Sequence, residues 1–497
     1  MKKITFLSLF LSLMALAVAQ PQMPTLRTGQ MAKGFDQYMA HEGMIASVAE
    51  NEIVFVTNET RSILGSYGSK GLQVVATDSN LNVLRHVAIP DTRFGQLMAV
   101  NMVEGKVYIL YWKLESVKVF RAVVEPRSMT LESNAALTEA LPGFDLEQYH
   151  WPAKSPNGLF YALVGTVANK TSKETAPRQL LLDEKFELLW DKQYETYMAT
   201  DISVNDDGVV YIFGSKYNGK TGETHLEVSI LDVNDEKRIM ARANVGEVFR
   251  LRMLNVVGNK VVAGGYIRTT KSPKNTDCFD KLVGMALNLE TEELKTDVAD
   301  FTSDELNVFG NLNTKKENTV GMVDNLVIAG RAATSFGGSL LLQREWKITT
   351  HSTKNPDMHD YYTMGALAFA VDTNGKIVWH KPFRSVCHEV TGQSWDLSCY
   401  LDAPMRAQGD DVYVFLSESS KTPRTYDIAQ PAKSAKLQTQ AHTTCIYGIS
   451  RDGKVEKKVY ELDEKATLVD VWKPLSENVF IYLCTNKKKS GLVYVNF

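Results

Sequence analysis

Apolar runs of five to eight residues, rich in Val, Ile, Leu and aromatics and bounded by Gly, Asn and Asp, recur along the whole chain, as β-strands do. Outside the leader no stretch repeats its apolar positions at a helical period, so the pattern predicts an all-β protein. One phrase returns most clearly: a polar turn followed by a strand with an aromatic near its start. It reads ENEIVFVTN, VEGKVYILY, PNGLFYALVG, DDGVVYIFG, GDDVYVFLS and SENVFIYLC, which places Phe55, Tyr108, Tyr161, Tyr211, Tyr413 and Phe480 in one column. GNKVVAGGY and VDNLVIAGR join through Val262 and Val327, making eight copies. Successive column positions lie 53, 53, 50, 51, 65, 86 and 67 residues apart, the length of a four-stranded unit with loops of growing size.

A second phrase, strand, turn and strand, follows the first, as in LQVVATDSNLNVLRHVAI, QLLLDEKFELLWDKQY, VSILDVNDEKRIMAR and FAVDTNGKIVWHKPF, where Asp78, Asp183, Asp232 and Asp372 align. One further short strand precedes the first phrase, as in MAVNMV, ATDISVN, LRMLNVV and ATLVDVW. Four strands per unit, joined as a meander, describe a β-propeller blade. The last unit shows three strands, ATLVDVW, NVFIYLC and GLVYVNF, so PTLRTGQMAKGFDQYMA near the start is free to supply the fourth. Closing the ring with strands from both termini leaves no unpaired edge. The expected architecture is an eight-bladed β-propeller of four-stranded antiparallel blades, one domain over 20–497, with seven blades as the alternative. An outer-membrane barrel would alternate apolar and polar positions along each strand, and tandem β-sandwiches would not produce the regular column.

The opening MKKITFLSLFLSLMALAVAQ has the parts of a secretory signal: Lys2 and Lys3, the apolar Phe6 to Leu16, and the small residues Ala17-Val18-Ala19. Its apolar run is shorter than the roughly 20 residues of a membrane-crossing helix. The expectation is a signal peptide over 1–19 and an exported product, in the periplasm, at the cell surface or outside the cell. With 55 Lys and Arg against 58 Asp and Glu there is no positive excess to suit a nucleic acid. The five cysteines, at 278, 387, 399, 445 and 484, show no metal-ligand spacing. Cys387 and Cys399 are candidates for a disulfide across a polar loop, whereas Cys445 and Cys484 fall in apolar runs and read as small buried hydrophobes.

Asp183 to Trp190 and Asp372 to Trp379 share one spacing, with Gly375 in the turn of the second pair. In this the chain resembles the quinoprotein-like propellers, whose blades carry an Asp, a Gly-rich turn and a Trp on the last strand, and also the uncharacterised exported propellers of Bacteroidetes-type bacteria. The resemblance implies an eight-bladed fold. Arg85 and Lys457 stand near the Trp position in blades one and seven, a departure from that pattern. The quinone-dependent dehydrogenases of the family use an adjacent Cys pair, which this chain does not have, so no cofactor is expected.

No GxSxG, HExxH or EF-hand phrase occurs, so no catalytic residue is assigned. The wide spacings of units six and seven hold two insertions, 343–362 and 384–402, dense in His, Trp, Tyr, Arg and carboxylates. Long loops on a rigid scaffold carry binding and catalysis. Arg344, Trp346, His351, His359, Asp360, Tyr361, Arg384, His388, Glu389, Trp395 and Asp396 are the candidate binding residues. The expected function is a monomeric, non-enzymatic propeller that binds a protein or glycan partner through these loops. The alternative is a carbohydrate lyase or hydrolase in which His359 with Tyr361, or His388, moves a proton.

Overall fold

The computed structural model describes residues 20–497 apart from 34–42, 139–151, 169–174, 194–200, 269–277, 310–322, 350–358, 392–404, 420–423, 427–441, 463–466 and the positions 50, 64, 65, 94, 114, 117, 325, 477, 487 and 488. The proposed signal peptide lies outside the described residues. Seven consecutive four-stranded antiparallel meanders fill the chain from Gly43 to Tyr460. The eighth blade takes Thr467–Pro474, Val479–Asn486 and Lys489–Asn496 from the C-terminus and Thr25–Thr28 from the N-terminus, with Thr25 opposite Asn496. Ala32–Lys33 adds a short pairing to the far end of the same C-terminal strand. The expected two-terminus closure is therefore observed, with eight blades.

Eight apolar cores fill the seams between successive blades. Closure is carried by the seam between blades one and eight, where Ile45, Ile53, Phe55 and Val75 meet Ile481, Leu483 and Leu492. Each fully buried side chain of this size contributes about 1.5–3 kcal/mol. The seams also explain why the strands read as continuous apolar runs. Along the second strand of blade six, Leu340 and Leu342 face blade five while Leu341 faces blade seven. A strand buried on both faces has no polar side to alternate with.

The structure corrects two details of the repeat. Val327 lies on the first strand of blade six, Leu326–Thr334; the second strand is Gly337–Thr349, which begins with two glycines and has no aromatic near its start. The aromatic column falls on second strands elsewhere, yet not on one seam: Phe55 packs against blade eight and Tyr161 against blade two, while Tyr108 and Tyr413 pack against the following blade.

The aligned aspartates are turn-formers. The Asp372 carboxylate accepts from the backbone N–H of Asn374 and Lys376 at 2.8 and 3.0 Å, and Asp78 and Asp183 accept from residues two and four ahead in the same way. Such Asx turns organise the hairpin locally. The residue three ahead of each aspartate adopts a left-handed backbone: Leu81, Phe186 and Gly375, with φ of 60°, 56° and 77°. Leu81 and Phe186 are buried, and that burial offsets the roughly 1–2 kcal/mol a side chain costs there. A bulge then sets Arg85, Trp190 and Trp379 opposite Ala76, Leu181 and Ala370. Trp379 covers the turn glycine of the following blade, where a Cβ on Gly453 would lie 2.8 Å from the Trp379 Cβ. At the same position Arg85 reaches forward to the Pro126 carbonyl at 2.8 Å. Blade seven has no such bulge, so Lys457 pairs opposite Tyr447 and belongs to the other face. The Asp232 turn is one residue shorter and lacks the bond pair.

One element has no signal in the apolar pattern: the helix Ser303–Val308 between blades five and six. Its signal is a capping box. Thr302 accepts from the Glu305 N–H, and the Glu305 carboxylate accepts from the Thr302 N–H at 2.7 Å.

Candidate functional site

Because every blade is a meander, the turns between strands one and two and between strands three and four share one face of the ring. The links between strands two and three, and from blade to blade, share the other. On the first face no turn exceeds five residues; every longer link leaves from the second, including those over 137–152, 301–325, 350–358, 392–404 and 420–441. The chain thus has one plain face and one insertion-bearing face.

Blade six is built up on the insertion-bearing face. Its second, third and fourth strands are Gly337–Thr349, His359–Asp372 and Ile377–Thr391, of 13, 14 and 15 residues, against nine, nine and eight in blade four. Of the segments expected to be loops, 343–349, 359–362 and 384–391 are strand, a three-stranded ribbon continuing the blade beyond the ring, and the remainder lies outside the described residues. The β-branched and aromatic residues of these segments were the available signal, and Pro356 and Gly392 are the only Gly or Pro residues within them. The ribbon starts at bulges between Gln343 and Glu345 and between Met364 and Ala366. Bulges bend a strand and re-aim the residues beyond them. Gly365 sits at this bend with φ of 77°, and a Cβ there would lie 2.6 Å from the Val308 carbonyl oxygen, so helix Ser303–Val308 docks where only glycine fits.

The ribbon's register brings several predicted residues together. Trp346, Tyr362 and His388 form one cross-strand row; Lys347, Tyr361 and Glu389 form the next; Ile348, Asp360 and Val390 the third; Thr349, His359 and Thr391 the last. Successive rows belong to alternate faces. Positions 359, 361 and 389 thus share one face, and 346, 360 and 388 the other. Arg384 is half-buried at the point where the fourth strand leaves the ring. Arg344 is buried at 2% exposure and donates to the Phe309 carbonyl just past the helix, so its described bond is internal to the fold. His351, Trp395, Asp396 and Cys399 lie outside the described residues; Cys387 falls in the ribbon opposite Thr363.

Beneath the ribbon lies a polar cluster that sequence reasoning missed. Glu305, fully buried, pairs with His380 Nδ1 on the fourth strand of blade six. In blade seven, Lys457 Nζ contacts Glu418 Oε2 at 2.8 Å, with both side chains almost wholly buried, and the Tyr447 hydroxyl donates to Glu418 Oε1. The Tyr447 ring stands 4.5 Å from that of Phe383 and 6.1 Å from that of Tyr426. Burial, and then the Glu418 carboxylate, push the Tyr447 hydroxyl and the Cys445 thiol far above their ordinary ranges. Nothing in the local sequence marks these partners, because Glu418 and Lys457 meet only when strands two and four of one blade flank the third. Cys445 and Cys484 are buried, as expected from their apolar runs. Among the described residues no group of three or more His, Cys, Asp and Glu is placed to hold a metal ion. No helix among them is long and apolar enough to cross a membrane.

No protein-family model matches the chain, and no curated protein does. Among solved structures it is similar to the WD40 domain of SCAP from fission yeast, at 10% identity over 95% of this chain and 98% of that one, with a TM-score of 0.35. It is also similar to the β-propeller domain of the Trilobed protease from Pyrococcus furiosus, at 8% identity over 92% and 94%, with a TM-score of 0.37. A third is the polysaccharide lyase Uly1, at 11% identity over 95% and 99%, with a TM-score of 0.38. Likeness at this level carries no functional argument. The propeller class rests on the strand order and the eight seams.

Proposed function

We propose that this is an exported, non-enzymatic binding propeller that holds a protein or glycan partner on its insertion-bearing face, with the blade-six ribbon as the main contact element. The observation that supports this reading is the asymmetry of the ring. All links longer than five residues leave one face, and among the described residues one blade alone extends three strands of 13–15 residues from it. A strand-built platform is stiffer than a loop and presents its residues with less ordering cost on binding. Trp346, Tyr361, Tyr362, His388 and Glu389 occupy adjacent rungs of it, and aromatic residues are enriched at binding hot spots. Rigid propellers present such surfaces without changing their core.

The test is a deletion of residues 345–363, joined by a two-residue turn, which shortens the blade to ordinary length above its seams. Affinity capture from the cells that make the protein, with wild-type and shortened baits, compares the partners retained. Loss of a partner from the shortened bait, with an unchanged melting temperature, is the expected result. Identical partners on both baits would remove the ribbon from the binding surface.

A further inference from the structure

The outermost strand of each blade is a sheet edge, and alternate residues along an edge turn their N–H and C=O groups away from the sheet. Edges are commonly guarded against pairing by Lys and other charges, by Pro or by a bulge. At the level of the ring every blade has such a guard. Val83–Ala88, Leu188–Gln193, Glu236–Ala243, Leu294–Asp300, Val455–Tyr460 and Thr25–Thr28 each hold a Lys or Arg. Thr130–Ala136 of blade two is bulged between Leu131 and Ser133. In blade six, Lys381 and Pro382 stand where the fourth strand borders the ring, and the Tyr426 hydroxyl donates to the Pro382 carbonyl at 3.1 Å.

Beyond the bulge into the ribbon these guards stop. Residues 386–391 read VCHEVT, without Lys, Arg, Pro or Gly, and three of the six are β-branched. Val386 to Thr391 pair row by row with Met364 to His359, without interruption. Among the described residues no strand pairs with their other side. Glu389 is the one acidic residue, and Lys347 stands in its cross-strand row. The opposite edge of the ribbon, Glu345 to Thr349, holds that lysine and is guarded by it. An alternating row of backbone donors and acceptors is matched by one kind of ligand, another backbone in extended conformation; a glycan offers hydroxyls but no such row.

We infer that the fourth-strand edge of the blade-six ribbon, Val386 to Thr391, takes an extended peptide segment of a protein partner as an added strand. Backbone hydrogen bonds supply the affinity, and alternate residues of the peptide lie beside positions 386, 388 and 390 on one face, where Val, His and Val favour apolar or aromatic neighbours. The inference rests on the ribbon being the contact element proposed above, and it narrows the partner to a peptide.

The probe is a random-peptide phage library panned on the full chain, followed by synthesis of an enriched peptide with its backbone nitrogens methylated one at a time. Methylating every second residue is expected to weaken binding about fivefold, the effect of one lost hydrogen bond, and methylating the residues between is expected to change little. Val390→Lys and Ile348→Lys alter one cross-strand row at its two edges, so a general loosening of the ribbon would act in both. The first is expected to weaken binding about threefold, the size of one cross-strand pair, and the second to leave it unchanged. No enriched peptide, methylation losses without alternation, or equal effects of the two lysines would overturn the inference. A wild-type dimer that Val390→Lys dissolves would also overturn it, giving the edge to a second copy. If the shortened bait loses its partner while no peptide is enriched, the ribbon remains the contact element and the added strand fails. Alternating losses together with identical partners on both baits would keep the edge and remove the ribbon from capture of the native partner.

Discussion

The buried Lys457–Glu418 pair sets a quantitative expectation for Lys457→Met. Both side chains are at most 2% exposed, and the Nζ to Oε2 distance is 2.8 Å. Removing one partner of a buried pair leaves the other charge uncompensated, at a cost of about 3–5 kcal/mol. Glu418 retains the Tyr447 hydroxyl as a donor, a bond to a charged group worth about 1.5–3 kcal/mol, which places the loss near the lower end, about 3 kcal/mol. Adding Glu418→Gln removes the stranded charge while its amide oxygen still accepts from Tyr447. The double variant is therefore expected within about 1–2 kcal/mol of wild type, so adding Glu418→Gln restores about 1–2 kcal/mol of the loss in the single variant. Urea unfolding followed by tryptophan fluorescence and by circular dichroism gives the free energies where the two transitions coincide. A loss below about 1 kcal/mol in the single variant, the range of solvent-exposed ion pairs, would refute the reasoning.

Three further outcomes come from the geometry. Gly375→Ala is expected to cost more than the roughly 1–2 kcal/mol of a left-handed backbone, because a Cβ would also lie 2.7 Å from the Ala286 nitrogen and the Lys295 oxygen; a thermal melt that leaves the midpoint unchanged contradicts it. Burial holds Lys473 at about 8 against an ordinary 10.5, so between these values the unfolded chain binds more protons and stability rises with pH. Lys473→Met is expected to remove that part of the rise, read as the difference between wild-type and variant melting temperatures over pH 8–10.5. Deleting residues through Lys33 takes away the partner of Lys489–Asn496 and exposes a strand edge, so size-exclusion chromatography is expected to show self-association.

How much of the fold and site is legible in the sequence depends on whether the cause is local. Asp372, Gly375 and Trp379 lie within one hairpin, so their spacing announces the turn, and the same spacing at Asp183 and Trp190 announces the repeat. Closure is legible because the last unit lacks a strand and the first segment can provide one. The sixth copy reads one strand too early because its second strand opens with Gly337-Gly338 where an aromatic stands elsewhere. The ribbon reads as loops because its strands mix charged, polar and apolar residues, and the continuous apolar code that marks the other strands stops at Gly365. The Asp201–Arg331 contact joins residues 130 positions apart on different blades, and only the curvature of the ring brings them together.

The most direct measurement of the central claim is site-specific photo-crosslinking in the cells that make the protein. A photoreactive residue replaces Lys347, in the ribbon, or Asn374, in a turn on the plain face. A discrete crosslinked partner from position 347 and none from position 374 is the predicted result. Crosslinking from 374 alone, or equally from both, would contradict it.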